Sequence, residues 1–137
     1  ASDLRPISLA IDALDLLPGW YDDWTILERE RLRQRVLHAL EAQSRILSAR
    51  GLHADAVDAA LAAVRAEPLR ESAQRTLIEA YLSEDNWVEA RRTLDGYHDL
   101  LHRELSVSPS TELIDMVRYA ARRRHHHPGP VMAGSGA

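Results

Sequence analysis

The chain is 137 residues long, the size of one ordinary domain, which excludes a second large domain. Hydrophobic types make up 45% and charged types 28%, and no stretch approaches the roughly 20 apolar residues that span a bilayer, so neither a fully disordered chain nor a membrane protein fits. The net charge is −4, all 17 basic residues are arginine and cysteine is absent, so a chain-wide grip on nucleic acid is not supported, and disulfides, thiolate nucleophiles and Cys-ligated zinc are ruled out.

Residues 1–15 are expected to be a leader or the remnant of an upstream linker. Asp3, Arg5, Asp12 and Asp15 interrupt the apolar residues there and break up the uninterrupted core of a signal peptide, so a cytoplasmic location is expected. Trp20, Tyr21 and Trp24 then follow a Pro18-Gly19 turn and are expected to lock the entry of a long helix by burying their rings. Asp22 and Asp23 suit the N-terminus of that helix through its dipole. Trp24, Leu27, Leu32, Val36, Leu40, Ile46 and Leu47 recur at near-helical spacing and Gly51 terminates them, predicting a helix over 23–49.

The second helix, 53–66, presents Ala56, Ala60 and Ala63 on one face and stops before Pro68. The third, 69–83, turns Ala73, Leu77, Ala80 and Tyr81 inward. The fourth, 87–105, does the same with Ala90, Leu94, Tyr97 and Leu101. Ser108 followed by Pro109 reads as an N-cap with proline at the first helical position, opening a fifth helix over 109–123 that buries Leu113, Val117 and Ala120. No stretch alternates with period two, so no strand is expected. Residues 124–137, with Pro128, Gly129, Pro130, Gly134 and Gly136, have little to bury and are expected to be a disordered tail.

The helices pair, and the pairs repeat. A shift of 34 residues lays Leu47 over Tyr81, Gly51 over Asp85, Ala56 over Ala90, Ala60 over Leu94 and Ala63 over Tyr97. These are the turn and inter-helix positions of a tetratricopeptide repeat, with Pro68 near the end of the first unit. The predicted fold is all-α: tetratricopeptide-like helical hairpins closed by a C-terminal capping helix.

Residues 16–123 also carry a family resemblance. Leu17-Pro18-Gly19-Trp20-Tyr21-Asp22-Asp23-Trp24 leads into Leu27-Glu28-Arg29-Glu30-Arg31-Leu32. Gly51-Leu52-His53-Ala54-Asp55-Ala56, Glu67-Pro68-Leu69-Arg70-Glu71 and Arg103-Glu104-Leu105 before Ser108-Pro109 follow in order. This succession resembles the bacterial transcriptional activator domain of the Streptomyces antibiotic regulatory proteins and related actinobacterial regulators. The resemblance implies a regulatory and interaction module with two kinds of partner, RNA polymerase and the neighbouring domains of the same regulator. It also implies that an upstream winged helix reads promoter DNA. No winged helix is supplied before residue 16, so the chain is expected to be an excised domain or a fragment whose DNA reader lies upstream, with DNA bound only through that absent domain. The sequence leaves the oligomeric state open, a homodimer included.

Catalytic chemistry finds little support. No Ser-His-Asp arrangement, Gly-rich phosphate loop or nucleophile turn is visible, so no enzyme and no cofactor is expected. His98 and His102 stand four apart on one helix, but Asp99 follows the first where a metalloprotease has Glu, and no third ligand is identifiable. No metal site is expected there, and the run His125 to His127 lacks further ligands. Arg29, Arg31, Arg33 and Arg35 are diluted by Glu28 and Glu30 and read as a solvated, salt-bridged face. Arg122, Arg123 and Arg124 read as a cluster favourable with the helix dipole.

The inner face of the repeats is the stronger candidate for partner binding. On the 34-residue register, Glu41 and Arg45 in the first unit correspond to Arg75 and Glu79 in the second, with the signs exchanged. Glu41 is then expected to face Arg75, and Arg45 to face Glu79, as cross-repeat ion pairs or as a partner-binding groove. An outer surface around Arg29, Arg33 and Trp87 is the other candidate. A free-standing peptide-binding adaptor is the competing function. Against it, repeats that clamp a peptide carboxylate use lysine and asparagine on this face, and the chain has no lysine and one asparagine, Asn86.

Overall fold

The computed structural model describes residues 23–126. Five helices occur among them: α1 (Asp23–Ala49), α2 (His53–Ala66), α3 (Glu71–Ser83), α4 (Trp87–Leu105) and α5 (Thr111–His125). No strand is present among the described residues. Each helix packs on its neighbour in the chain, and α3 also rests on α1 while α5 also rests on α3. The protein is therefore two stacked helical hairpins, α1–α2 and α3–α4, with α5 laid over the open side of the second.

The repeat is visible in the backbone hydrogen bonds as well as in the side chains. At the end of α1, the Leu52 N–H donates to the Leu47 carbonyl at 2.9 Å and the Gly51 N–H to the Ser48 carbonyl at 3.0 Å. At the end of α3, the Asn86 N–H donates to the Tyr81 carbonyl at 2.8 Å and the Asp85 N–H to the Leu82 carbonyl at 3.1 Å. Both are Schellman turns with matching donors and acceptors 34 residues apart. Such a turn needs one left-handed residue, supplied by Gly51 at φ 76° and by Asp85 at φ 60°.

Packing follows the size of the residues. Ala56, Ala59, Ala60 and Ala63 are fully buried along α2 and let α1 and α3 approach closely, with Leu37, Leu40, Leu47, Ala73 and Ala80 filling the seams. In the second hairpin the equivalents of Ala60 and Ala63 are Leu94 and Tyr97. With Ile78, Leu101, Leu113 and Val117 they build a bulkier core under the capping helix. Tyr97 keeps its hydroxyl satisfied by donating to the Leu69 carbonyl at 3.3 Å.

Several expectations need correction. Leu27, Leu32 and Ile46 are exposed at 64%, 47% and 46%, whereas Leu37 is fully buried. The inward stripe of α1 is Leu37, Leu40, Glu41, Ser44 and Leu47, and its two polar members disguise the period. Helix α3 begins at Glu71, because the chain turns after Pro68, the Arg70 N–H bonding the Glu67 carbonyl at 3.1 Å. Helix α5 is capped by Ser110, whose hydroxyl accepts from the Leu113 N–H at 3.2 Å, so Ser108 is not the cap and Pro109 lies buried just outside the helix. The helix also runs on through Arg124 and His125 instead of giving way to a tail at 124. Residues 1–15, the rings of Trp20, Tyr21 and Trp24, the Asp22 and Asp23 side chains, His127 and the rest of the tail lie outside what is described.

Candidate partner-binding surface

Helices α1 and α3 run side by side on the inner face of the stack, and the polar residues between them form two layers. The lower layer is closed. Glu41, 5% exposed, accepts from Arg70 Nε at 2.8 Å and from the Ser72 hydroxyl at 2.8 Å, and Arg70 also donates to Gln34 Oε1. The other buried polar side chains of α1 and α3 are likewise paired. Ser44 donates to the Ala56 carbonyl, Gln74 to the Pro68 carbonyl and Thr76 to the Ser72 carbonyl.

The upper layer is open to solvent. Arg45 Nε lies 3.5 Å from Glu79 Oε2 and its Nη2 donates to Thr76 Oγ1 at 3.3 Å. The expected pairing of Arg45 with Glu79 is present. Glu41 with Arg75 is not. Equivalent residues of stacked repeats point the same way, so the forward edge of α1 meets the backward edge of α3, about one turn earlier than the 34-residue register. Glu41 meets Ser72 and Arg45 meets Thr76, both at a separation of 31. Arg45 and Glu79 bridge the longer step only because both side chains are long.

Arg75 instead reaches forward. Its Nη2 lies 3.5 Å from Glu71 and 3.6 Å from Glu112 on α5, and Glu71 Oε1 also accepts from the Ser110 N–H at 2.8 Å. The inner face thus presents two solvent-facing ion pairs, Arg45–Glu79 across α1 and α3 and Arg75–Glu112 across α3 and α5. Arg70, Glu71 and Glu112 escaped the sequence reading of this face, whereas Ser72 stands at a position that the 34-residue register turns toward the groove. Arg70 carried a signal: an arginine at an N-cap position, where Ser, Thr, Asp or Asn is favoured, has its side chain committed elsewhere.

The outer candidates are not an open surface. Arg33, 18% exposed along its side chain, donates to the Ala66 carbonyl at the end of α2 and lies 3.8 Å from Glu67. It caps the negative end of that helix and is not a solvated side chain, as the sequence suggested. Arg29 is half-buried and already engaged. Trp87 is half-buried, with its indole N–H shut away from solvent and unpartnered among the described residues.

Two tyrosines titrate abnormally. Burial raises the Tyr81 hydroxyl above its ordinary value of 10.0, with Glu89 and Glu84 adding to it. Burial and then Glu71 raise Tyr97 in the same direction. His98 and His102 are exposed, His98 Nδ1 lying 3.6 Å from Asp99, and no group of three or more metal-ligating side chains occurs among the described residues. No helix among the described residues is long and apolar enough to cross a membrane.

None of the curated proteins and none of the solved structures matches the chain. The all-helical stack does agree with one family-level finding. The model of the bacterial transcriptional activator domain matches residues 12–119, well over half of the chain and all of α1 to α4, and the chain belongs to that family.

Proposed function

We propose that this domain serves as the protein-interaction module of an actinobacterial transcriptional activator of the Streptomyces antibiotic regulatory type. It works in the cytoplasm by contacting RNA polymerase and the neighbouring domains of its own regulator, and acts by contact rather than by catalysis. The observation that supports this reading is the two ion pairs of the solvent-facing layer of the inner face, Arg45–Glu79 and Arg75–Glu112. These pairs are exposed enough to be worth little to stability, so their arrangement is free to serve recognition. Asn86, the single asparagine, is occupied as the N-cap of α4, which leaves the inner face without the residues of a peptide-carboxylate clamp.

The test is a double charge reversal, Arg45→Glu with Glu79→Arg, placed in the full-length regulator. The pair is preserved with its polarity inverted, so the fold should be kept while activation of a reporter promoter and capture of RNA polymerase are lost. Wild-type activation by the double variant would reduce these pairs to a structural role and refute the reading.

A further inference from the structure

The last two turns of α5 differ from the rest of the surface. From Met116 to His126 the chain carries Arg118, Arg122, Arg123, Arg124, His125 and His126 and no acidic residue, although the whole chain has net charge −4. The four arginines are exposed. Arg45, Arg70, Arg75, Arg91 and Arg92 are held by carboxylates, whereas Arg118, Arg122 and Arg124 make no ion pair among the described residues and, unlike the scattered and also unpaired Arg35, Arg50, Arg65 and Arg103, stand together on one helix end. Arg123 lies over the ring of Tyr119, 6.0 Å from its centroid, and that tyrosine is 63% exposed.

The helix dipole explains one or two cations in the last turn, but its effect fades within that turn. Arg118 stands a full turn earlier, on the same exposed face as Arg122, and like charges four apart repel. The Arg118–Arg122 repulsion is therefore a small cost to the helix that a bound anion would relieve. Guanidinium groups bind phosphate oxygens in a bidentate fork, and this patch has no apolar centre of the kind a protein interface needs, Tyr119 being its one large ring. We propose that the C-terminal end of α5 is an accessory contact to the phosphate backbone of duplex DNA, without preference for base sequence. It would supplement a DNA reader elsewhere in the regulator, and it stands independently of the ion pairs on the inner face.

The experiment is a fluorescence-anisotropy titration of the full 137-residue chain against labelled duplexes of two unrelated sequences, with salt varied from about 50 to 200 mM. The expected result is weak binding, equal for both sequences, with log K falling against log salt at a slope of about −3 to −4 for three or four neutralised phosphates. Replacing Arg118, Arg122, Arg123 and Arg124 together by serine should abolish the complex. Replacing the exposed Arg35, Arg50, Arg65 and Arg103 by serine changes the net charge equally and should leave most of the binding intact, with circular dichroism confirming the fold of both variants. Any of four results overturns the proposal: no complex at the lowest salt, equal loss in the two variants, a clear preference for one duplex, or displacement by polyglutamate as effective as by unlabelled DNA, which would mark the patch as a site for acidic protein.

Discussion

Removing one partner of the Glu41–Arg70 pair tests the closed layer between the repeats. The side chains are 7% and 17% exposed, and a single carboxylate oxygen takes both the Arg70 and Ser72 bonds at 2.8 Å. Arg70→Met strands a carboxylate with one remaining hydroxyl donor. Breaking a pair at such burial costs about 3–5 kcal/mol, a large share of the roughly 5–15 kcal/mol that holds a domain folded. Glu41→Leu should fall at the low end of that range, because the arginine retains Gln34 and a route to solvent. The double variant removes both charges, so its cost should be well below the sum of the singles, by about 0.5–3 kcal/mol. Urea denaturation followed by far-ultraviolet circular dichroism measures all three. Strict additivity, or an Arg70→Met cost below about 1 kcal/mol, would mean that the pair is a surface contact and that the layer does not fix the seam between α1 and α3.

Two further outcomes follow from packing and titration. Ala56→Leu or Ala90→Leu should overpack the hairpin interfaces and cost about 1–3 kcal/mol, while the exposed Ala54→Leu stays within about 0.5 kcal/mol; equal midpoints for the three would contradict the 34-residue register. Tyr81 and Tyr97 both have folded pKa values above 10.0, so above that pH the unfolded chain loses phenolic protons more readily than the folded one. Their contribution to stability is complete below pH 10 and should be lost as pH rises through the folded values. Tyr81→Phe combined with Tyr97→Phe should flatten this alkaline decline, and an unchanged slope would show that the two hydroxyls do not carry it.

Sequence alone determined the helices whose ends are marked by local chemistry. Gly51 closes α1 and Pro68 bars α2 from continuing, so these limits could be read one residue at a time, while the structure adds Asn86 as the cap that opens α4. The alanine and leucine spacing of α2 to α4 likewise exposed the 34-residue repeat, because the matched positions Ala56 and Ala90, Ala60 and Leu94, and Ala63 and Tyr97 are all buried and apolar or aromatic. Tertiary structure decided what depends on two helices at once. The inward face of α1 includes Glu41 and Ser44, which an apolar period cannot reveal, since their burial is permitted only by Arg70, Ser72 and the Ala56 carbonyl brought from elsewhere. The partner of Glu41 is Arg70 and not Arg75 because translation between repeats carries equivalent side chains in parallel, and contacts form between unlike edges. Arg75 finds Glu112 only once α5 has been laid across α3. Periodicity reports which way a residue points along its own helix; the residue it meets is set by the angle and offset at which the next helix arrives.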